Sequence, residues 1–518
     1  MSTQTTYNLT HRYRQAASVI PVGDWNGDKH PDFLVGDPDK GRVDLVSGYS
    51  FLPLKTWNEP ISNSGFGTRL AARDINKDGI LDFVVTAPSD QAGQGAFYLI
   101  DGKTLAIVNQ GLGKGGTFGW SVCFADVYPF IPDGIPEVII GAPSQPSGSN
   151  TEVGEVRVYE VKNYNVTFVG SSAGSGNRER YGESVASNGD LDGNPGEEYV
   201  VTAKGYYSSL SGCGGGYFVV KNGITTTQVN GPSRVCFGSG ILIDDVDNDS
   251  EKEIVIGCGF NNRTSEAHVY DFDKTTKVWT ETRQVTPNPF IPNFGIDIIR
   301  IPDLNSDGID DIAFAGTSSI QLWSARSFLP LDSINFDPTT AYSRTQLAHF
   351  GDLDQDGEFE IGIATQSGSF PSFASNLQIW SKKTWPLTIA DNYLNATRGG
   401  TVNLDIDAGR AYAGQLYMVI GSVSGVLTPG KKFGNAAGLF TLVPDALTFL
   451  LPNLVNHGPF VNWLGFLDSN GKATAQPRWS SGNVAAYAPL PMHLQVLVID
   501  FTKPDFSYLS NARHFIIQ

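Results

Sequence analysis

The sequence predicts an all-β protein, a seven-bladed β-propeller over residues 1–394 followed by a β-sandwich over residues 395–518. Three observations carry this. An acidic loop of one design recurs from Asp24 to Glu360, an aromatic-glycine pair precedes most of the loops by eight or nine residues, and a β-branched or aromatic run follows each loop. Such runs read as buried strands. A repeat of about fifty residues has room for four short strands, a sheet that cannot bury both faces alone. Seven such sheets set radially cover one another and leave only short edges.

The second loop shows the design most clearly. Oxygen-bearing side chains stand at positions one, three, five and nine as Asp74, Asn76, Asp78 and Asp82, with Gly79 where the turn needs positive φ. A hard cation such as Ca²⁺ takes about six to eight oxygens, and alternate side chains plus the carbonyl of position seven, here Ile80, can supply them. No Glu stands at position twelve. The chain instead enters Phe83-Val-Val, so a cation would pin a strand-loop-strand corner.

The first loop places Asp24, Asn26, Asp28 and Asp32 around the carbonyl of His30. The fourth uses Asp190, Asp192, Asn194 and Glu198 with Gly196, and the fifth Asp245, Asp247, Asp249 and Glu253 with Glu251. The sixth uses Asp303, Asn305, Asp307 and Asp311 with Ile309, and the seventh Asp352, Asp354, Asp356 and Glu360 with Glu358. The third begins at Asp126, but an insertion from Tyr128 to Pro132 precedes Asp133 and Glu137, so its hairpin should persist without a metal. Asp and Asn are also ordinary turn residues. A single loop would favour a solvated turn; six loops with the same four positions favour about six structural Ca²⁺ sites.

The aromatic-glycine pairs are Phe66-Gly67, Phe118-Gly119, Tyr181-Gly182, Phe237-Gly238 and Phe294-Gly295. Each should pack one ring between neighbouring sheets while the backbone turns tightly. Segments ending in Thr86-Ala87-Pro88 and Gly141-Ala142-Pro143 follow the loops, and further strands follow at Ala96, Glu155, Ala267, Ile320 and Leu377. The ring closes either through the segment around Thr6 to Arg14 or through Leu377 to Trp380 alone.

Residues from about 12 to 390 therefore resemble an FG-GAP repeat array, the propeller of integrin α subunits and many bacterial surface proteins. The resemblance implies a calcium-stabilised extracellular or cell-surface binding or adhesion protein, with a glycan or protein partner on the propeller. The stretched third loop and the missing Phe-Gly element of the first and seventh repeats depart from the pattern.

After Asn395 no acidic repeat loop recurs. Alternating segments at Thr401, Gln415, Val461, Leu494 and His514, separated by turns such as Asp468 to Gly471, fit a β-sandwich. The stretch Leu464 to Ala475 resembles small β modules that end secreted bacterial multidomain proteins. Self-assembly through this part is a further expectation.

A formal charge of −17 and no Lys/Arg cluster exclude a nucleic-acid backbone as partner. Charged residues are 17% and apolar residues 40%, a globular composition. The chain shows no signal-peptide pattern at its start and no apolar run long enough to span a bilayer. Four cysteines lack metal-type spacing; in an exported protein Cys213–Cys236 is the expected disulfide, with buried free thiols the alternative. The seven histidines form no HExxH pair, and no nucleophile elbow or phosphate loop occurs. Aromatic residues such as Trp120, Tyr128, Phe130, Tyr206 and Tyr207 serve either ligand stacking or packing. An enzyme is therefore the minor reading, as a polysaccharide lyase or hydrolase on a propeller scaffold; a surface-layer or filament subunit is another.

Overall fold

The computed structural model describes residues 5–8 and 18–381 apart from 50, 128–132, 206, 209–211, 214–215, 223–225, 233–236, 260–265, 288–289, 306, 318, 336–343, 354–358 and 370–371. Beyond these it describes 387–389, 393–394, 400–401, 404–407, 413–422, 426–431, 440–442, 460–479, 490–499, 506–509 and 513–517. Seven four-stranded antiparallel sheets form a propeller. The first blade comprises Ser18–Gly23, Asp32–Asp37, Arg42–Val46 and Pro53–Asn58 in that order. The next six begin at Leu70–Arg73, Ser121–Ala125, Tyr181–Ser187, Ile241–Asp244, Ile298–Ile301 and Arg344–Gly351. These first strands touch one another in succession and the seventh touches the first, so they line the axis of a closed ring.

Burial follows from that placement. Second strands such as Asp32–Asp37 and Asp82–Ala87 are buried at every residue, whereas fourth strands such as Ala106–Leu112 are mostly exposed. One apolar cluster fills each interface between blades. Phe66 joins Leu45 and Trp57 of the first blade to Phe83 and Tyr98 of the second, and Phe118, Tyr181, Phe237 and Phe294 occupy the matching places further round. The aromatic member of each pair is thus an inter-blade wedge, as its position implies. Its glycine has a separate task. Gly119, for example, has φ +97°, and its N–H donates to Gly141 O at 3.1 Å, which a side chain would oppose.

A second glycine, on the second strand, lets adjacent blades meet backbone to backbone. A Cβ on Gly36 would lie 2.1 Å from Gly67 O, one on Gly141 2.3 Å from Gly182 O, and one on Gly257 2.0 Å from Gly295 O. In the fourth blade Thr202 stands at this position, and its hydroxyl donates to Gly238 O at 2.8 Å.

The ring closes through the N-terminal strand. Thr5–Asn8 pairs with Ser372–Ser381 and so supplies the fourth strand of the seventh blade. Phe33 stacks on Phe350 across the seam at 4.5 Å, and Val19, Val35, Leu377 and Ile379 complete that cluster.

The C-terminal strands form two larger sheets. One holds Leu387–Ile389, Leu404–Asp407, Lys472–Trp479 and Gly400–Thr401, with Phe460–Val461 on Lys472–Trp479. The other holds Tyr393–Leu394, Arg513–Ile517, Leu490–Ile499, Leu416–Ser422 and Leu464–Phe466, with Phe506–Leu509 alongside Leu490–Ile499. Both sheets take one strand from before residue 395. Among the described residues no helix is long and apolar enough to cross a membrane.

Two outcomes test this architecture. Gly257→Ala should cost about 1–3 kcal/mol in urea unfolding, because the methyl group meets backbone that cannot rotate away. Gly170→Ala, whose methyl would meet nothing within 4 Å, should stay within about 0.5 kcal/mol of the parent. Deleting residues 1–8 should lower the propeller melting temperature and speed amide exchange in Ser372–Ser381, the strand left as an edge; unchanged exchange would refute the closure.

Candidate metal loops

All seven acidic loops join the first and second strands of a blade, so they share one face of the propeller. The position-nine carboxylate is the anchor. Asp32, Asp82, Glu198, Glu253, Asp311 and Glu360, and Glu137 in the corresponding place of the stretched third loop, are each no more than 3% exposed. Each accepts the N–H of position two: Trp25 to Asp32 at 2.8 Å, Ile75 to Asp82 at 3.2 Å, Leu191 to Glu198 at 2.7 Å and Val246 to Glu253 at 2.8 Å. The others are Leu304 to Asp311 at 2.8 Å, Leu353 to Glu360 at 2.6 Å and Val127 to Glu137 at 2.8 Å. In three blades the second oxygen also receives an N–H from the end of the third strand, at Gly48, Gly102 and Ala325.

The position-one carboxylate winds the loop. Asp24, Asp74, Asp245 and Asp303 accept the N–H of position five through one oxygen, at 3.0–3.2 Å, and of position six through the other, at 2.7–2.9 Å. In the fourth loop Pro195 has no N–H to give at position six, and Asp190 Oδ1 takes Asp192 N and Gly193 N instead. Asp28, Asp78, Asp249 and Asp307 in turn accept the N–H of position seven. The side chain of His30, at position seven, turns away to Leu353 O of the seventh blade, so only its carbonyl remains for the loop.

Tight winding of the first, second and fifth loops takes two left-handed residues each, more than the single glycine expected. Position four carries Gly27, Lys77, Gly193 or Asn248, and position six Lys29, Gly79, Ser250 or Gly308, all at positive φ. Lys29 and Ser250 hold this conformation at a cost of about 1–3 kcal/mol each.

The loops differ in how closely they gather acids. Asp190, Asp192 and Glu198 bring ligand oxygens within 4.8 Å of one another, as do Asp245, Asp247 and Glu253. Both have Asp at position three. In the first, second and sixth loops that residue is Asn26, Asn76 or Asn305, whose side-chain oxygen accepts the N–H of position five. Glu198 Oε1 and Asp247 Oδ1 are buried without a hydrogen bond, as is Asp126 Oδ1 of the interrupted third loop. A bare carboxylate oxygen among other carboxylates fits a divalent cation, which supplies the missing partner. The third loop keeps its hairpin, with Asp126 accepting Gly134 N at 2.7 Å, and Lys77 Nζ donates to Asp133 O at 3.0 Å. Asp354, Asp356 and Glu358 of the seventh loop lie outside the described residues, as does Cys236 of the expected disulfide.

Neighbouring loops add residues that the repeat pattern does not reveal. Tyr164 OH donates to Asp82 Oδ1 at 3.0 Å and meets Asn76 Nδ2 at 2.6 Å; Ser324 Oγ donates to Asp307 Oδ2 at 3.3 Å. These come from the link between third and fourth strands, where no motif marks them.

Electrostatics single out the same anchors. Burial, with Asp28 adding, pushes Asp32 up to about 6. Burial, with Asp192 and Asp190 adding, pushes Glu198 up to about 7; burial, with Asp247 foremost among its acidic neighbours, pushes Glu253 up to about 8. Burial also raises Asp82 and Asp311. A carboxyl raised in the folded state contributes stability below its ordinary value and loses it as pH rises through the raised one. The metal-free propeller should therefore melt at a lower temperature as pH goes from 5 to 8, and saturating Ca²⁺ should remove that slope. Calcium added to metal-free protein near pH 7 in weak buffer should release protons, read by a pH indicator. A slope that persists in calcium would show that these carboxylates meet no cation.

Comparison with known proteins places the propeller among similar chains. The FG-GAP repeat model matches residues 66–100. The chain is 26% identical to integrin alpha-5 of Xenopus laevis over 236 residues, 39% of this chain and 22% of that protein. It is 30% identical to phosphatidylinositol-glycan-specific phospholipase D of Rattus norvegicus over 177 residues, 28% of this chain and 21% of that protein. The matched region thus spans about a fifth of each relative. Among solved structures, the crystal structure of BBS1N in complex with ARL6DN is similar with a TM-score of 0.47 and 9% identity, over 73% of this chain and 96% of that one. The chain is a seven-bladed propeller that carries an FG-GAP repeat and is similar to an integrin α subunit.

Proposed function

We propose that this protein is a calcium-stabilised binding module of the cell exterior that recognises a protein partner through its propeller. Similarity to integrin alpha-5 supports a protein partner, and the convergence of Asp190, Asp192 and Glu198, and of Asp245, Asp247 and Glu253, supports the cation. Six loops, the first, second and fourth to seventh, take Ca²⁺ in a structural role; the third, interrupted by residues 128–132, takes none. Weak sites of this kind suit a calcium-rich exterior. The two C-terminal sheets, with Leu404, Ile406 and Ala475 buried on one and Tyr417, Val419 and Val496 on the other, are read as a β-sandwich serving as an accessory or assembly module.

The observation that carries the choice of binding surface lies on the face opposite the acidic loops. There the third blade meets the fourth, and Glu152, Arg178 and Arg180 all have left-handed φ, of 50°, 59° and 54°. Arg178 N donates to Thr151 O and Arg180 N to Glu152 O, at 2.8 and 2.9 Å, so the two strained segments brace each other. Arg180 also pairs with Glu152 and Glu183, each at 2.8 Å, and lies over the Trp120 ring at 5.8 Å. Strain of this sort persists where geometry serves recognition, and Trp with Arg is the composition of an interface hot spot. Glu183 is held down to about 2, because Lys204 and Arg180 outweigh its burial. It therefore stays ionised at neutral pH as the partner of Arg180 and Lys204.

Calorimetry with and without EDTA tests the cation. Each site contributes about 2.7 kcal/mol at a hundredfold excess of calcium over Kd, so chelation should lower the propeller transition strongly and leave the C-terminal transition near its original temperature. An unmoved propeller transition after verified metal removal would reduce the loops to solvated turns. Fluorescently labelled protein tests the partner. Binding to cells should fall after protease treatment of the cells, survive glycosidase treatment, and weaken at least tenfold in Trp120→Ala and Arg178→Ala. Loss with glycosidase alone would make the ligand a glycan, and cleavage of a polysaccharide would make the protein an enzyme.

A further inference from the structure

The hairpin between the second and third strands of the fifth blade carries a second kind of metal-ligating group. It lies at the end of Glu253–Gly257 remote from the acidic loop, toward the opposite face of the propeller. Cys258 follows that strand and Glu266 precedes Ala267–Asp273, with Cys258 N donating to Glu266 O at 3.0 Å. Ile256 pairs with His268, so Cys258, Glu266 and His268 lie on the same side of the hairpin. One ligand atom from each of the three lies within 4.8 Å of the others. Cys258 is 0% and His268 2% exposed, and Cys258 belongs to the core between the fourth and fifth blades.

Two further observations point to a ligand. His268 Nδ1 lies 2.9 Å from Glu281 Oε1, so its proton is held by a carboxylate and Nε2 is left to face Cys258 and Glu266. Glu281 reaches this place because the register shifts between Val269 and Tyr270, which pairs Glu281 with Tyr270 on the His268 side. Second, His268 Nε2 is buried and makes no hydrogen bond; its nearest acidic atom, Glu266 Oε1, stands at 3.4 Å. That separation is long for an N–H···O bond. It is, however, the spacing of two ligands each about 2.0–2.1 Å from a tetrahedral zinc ion, which lie about 3.4 Å apart. The other oxygen of Glu266 accepts Gln284 Nε2 at 2.7 Å, so two of the three ligands, His268 and Glu266, have an outer support, as in built metal sites.

We propose that Cys258 Sγ, His268 Nε2 and Glu266 Oε1 bind one zinc ion, oriented by Glu281 and Gln284, at the interface of the fourth and fifth blades. Sulfur, imidazole and carboxylate together select a borderline-soft ion over calcium, which takes oxygen alone. Thiolate and carboxylate balance the 2+ charge, and a fourth position remains for water. The site is independent of the acidic loops in chemistry and in place.

Cobalt reports on it because a thiolate ligand gives a charge-transfer band that oxygen ligands do not. Full-length protein saturated with calcium should bind one equivalent of Co²⁺ with that band, and zinc should displace it. Cys258→Ser should abolish the band while Cys123→Ser keeps it, and Glu281→Gln should weaken zinc binding about 10–100-fold. Glu266→Gln, close in shape, serves where Cys258→Ser lowers the yield of folded protein; it should also weaken zinc while leaving the calcium-dependent melting shift unchanged. Cobalt held without the thiolate band, or a band that survives in folded Cys258→Ser, overturns the proposal.

Discussion

A buried carboxylate at the foot of each second strand is the constraint on which the propeller depends. A charge placed there is costly unless it is hydrogen-bonded, and Asp32, Asp82 and Asp311 meet that requirement by taking backbone N–H groups from both their own acidic loop and the end of the third strand of the same blade. One side chain thereby fixes two connections of the blade. Glu198 and Glu253 keep only the first of those bonds among the contacts seen, gather more acids around them, and are pushed furthest up. In these two loops, less backbone support for the anchor goes with closer crowding of acids around it.

The blades are joined by a different economy of contacts. Between neighbouring sheets the wedge is a ring from the aromatic-glycine pair, and the closest approach is backbone against backbone at Gly36, Gly141 and Gly257. Small hydroxyls complete the ring near the axis: Ser18 donates to Gly67 O, Ser121 to Gly182 O and Ser184 to Ser239 O, at 2.8, 3.0 and 2.6 Å. Leu347 N donates to the half-buried Asp297 at 2.7 Å to join the sixth and seventh blades. The axis is thus polar and hydrogen-bonded, while the apolar packing lies between the sheets. Acidic loops occupy one face, leaving the opposite face, with Trp120, Arg178 and Arg180, to vary without disturbing them.

The sequence by itself determined the repeat, the number of blades, the positions of the acidic loops and the role of the aromatic wedge, because each is a local pattern read at fixed spacing. Asp74 to Asp82 can be recognised without knowing what surrounds it. What only the tertiary structure decided is whatever joins residues far apart in the chain. Closure through Thr5–Asn8 rests on pairing with Ser372–Ser381, which no local signal distinguishes from the alternative. Tyr164 reaches Asp82 across 82 residues, and the left-handed Lys29 and Ser250 are imposed by hydrogen bonds to Asp24 and Asp245 and not by their own preferences. Cys258, Glu266 and His268 form no spaced motif; an eight-residue step from Cys258 to Glu266 becomes a cross-strand contact only when the hairpin folds back, and a register shift then carries Glu281 to the imidazole. Spacing along the chain encodes a loop, whereas a site assembled across strands is encoded in sheet register, which is fixed by packing.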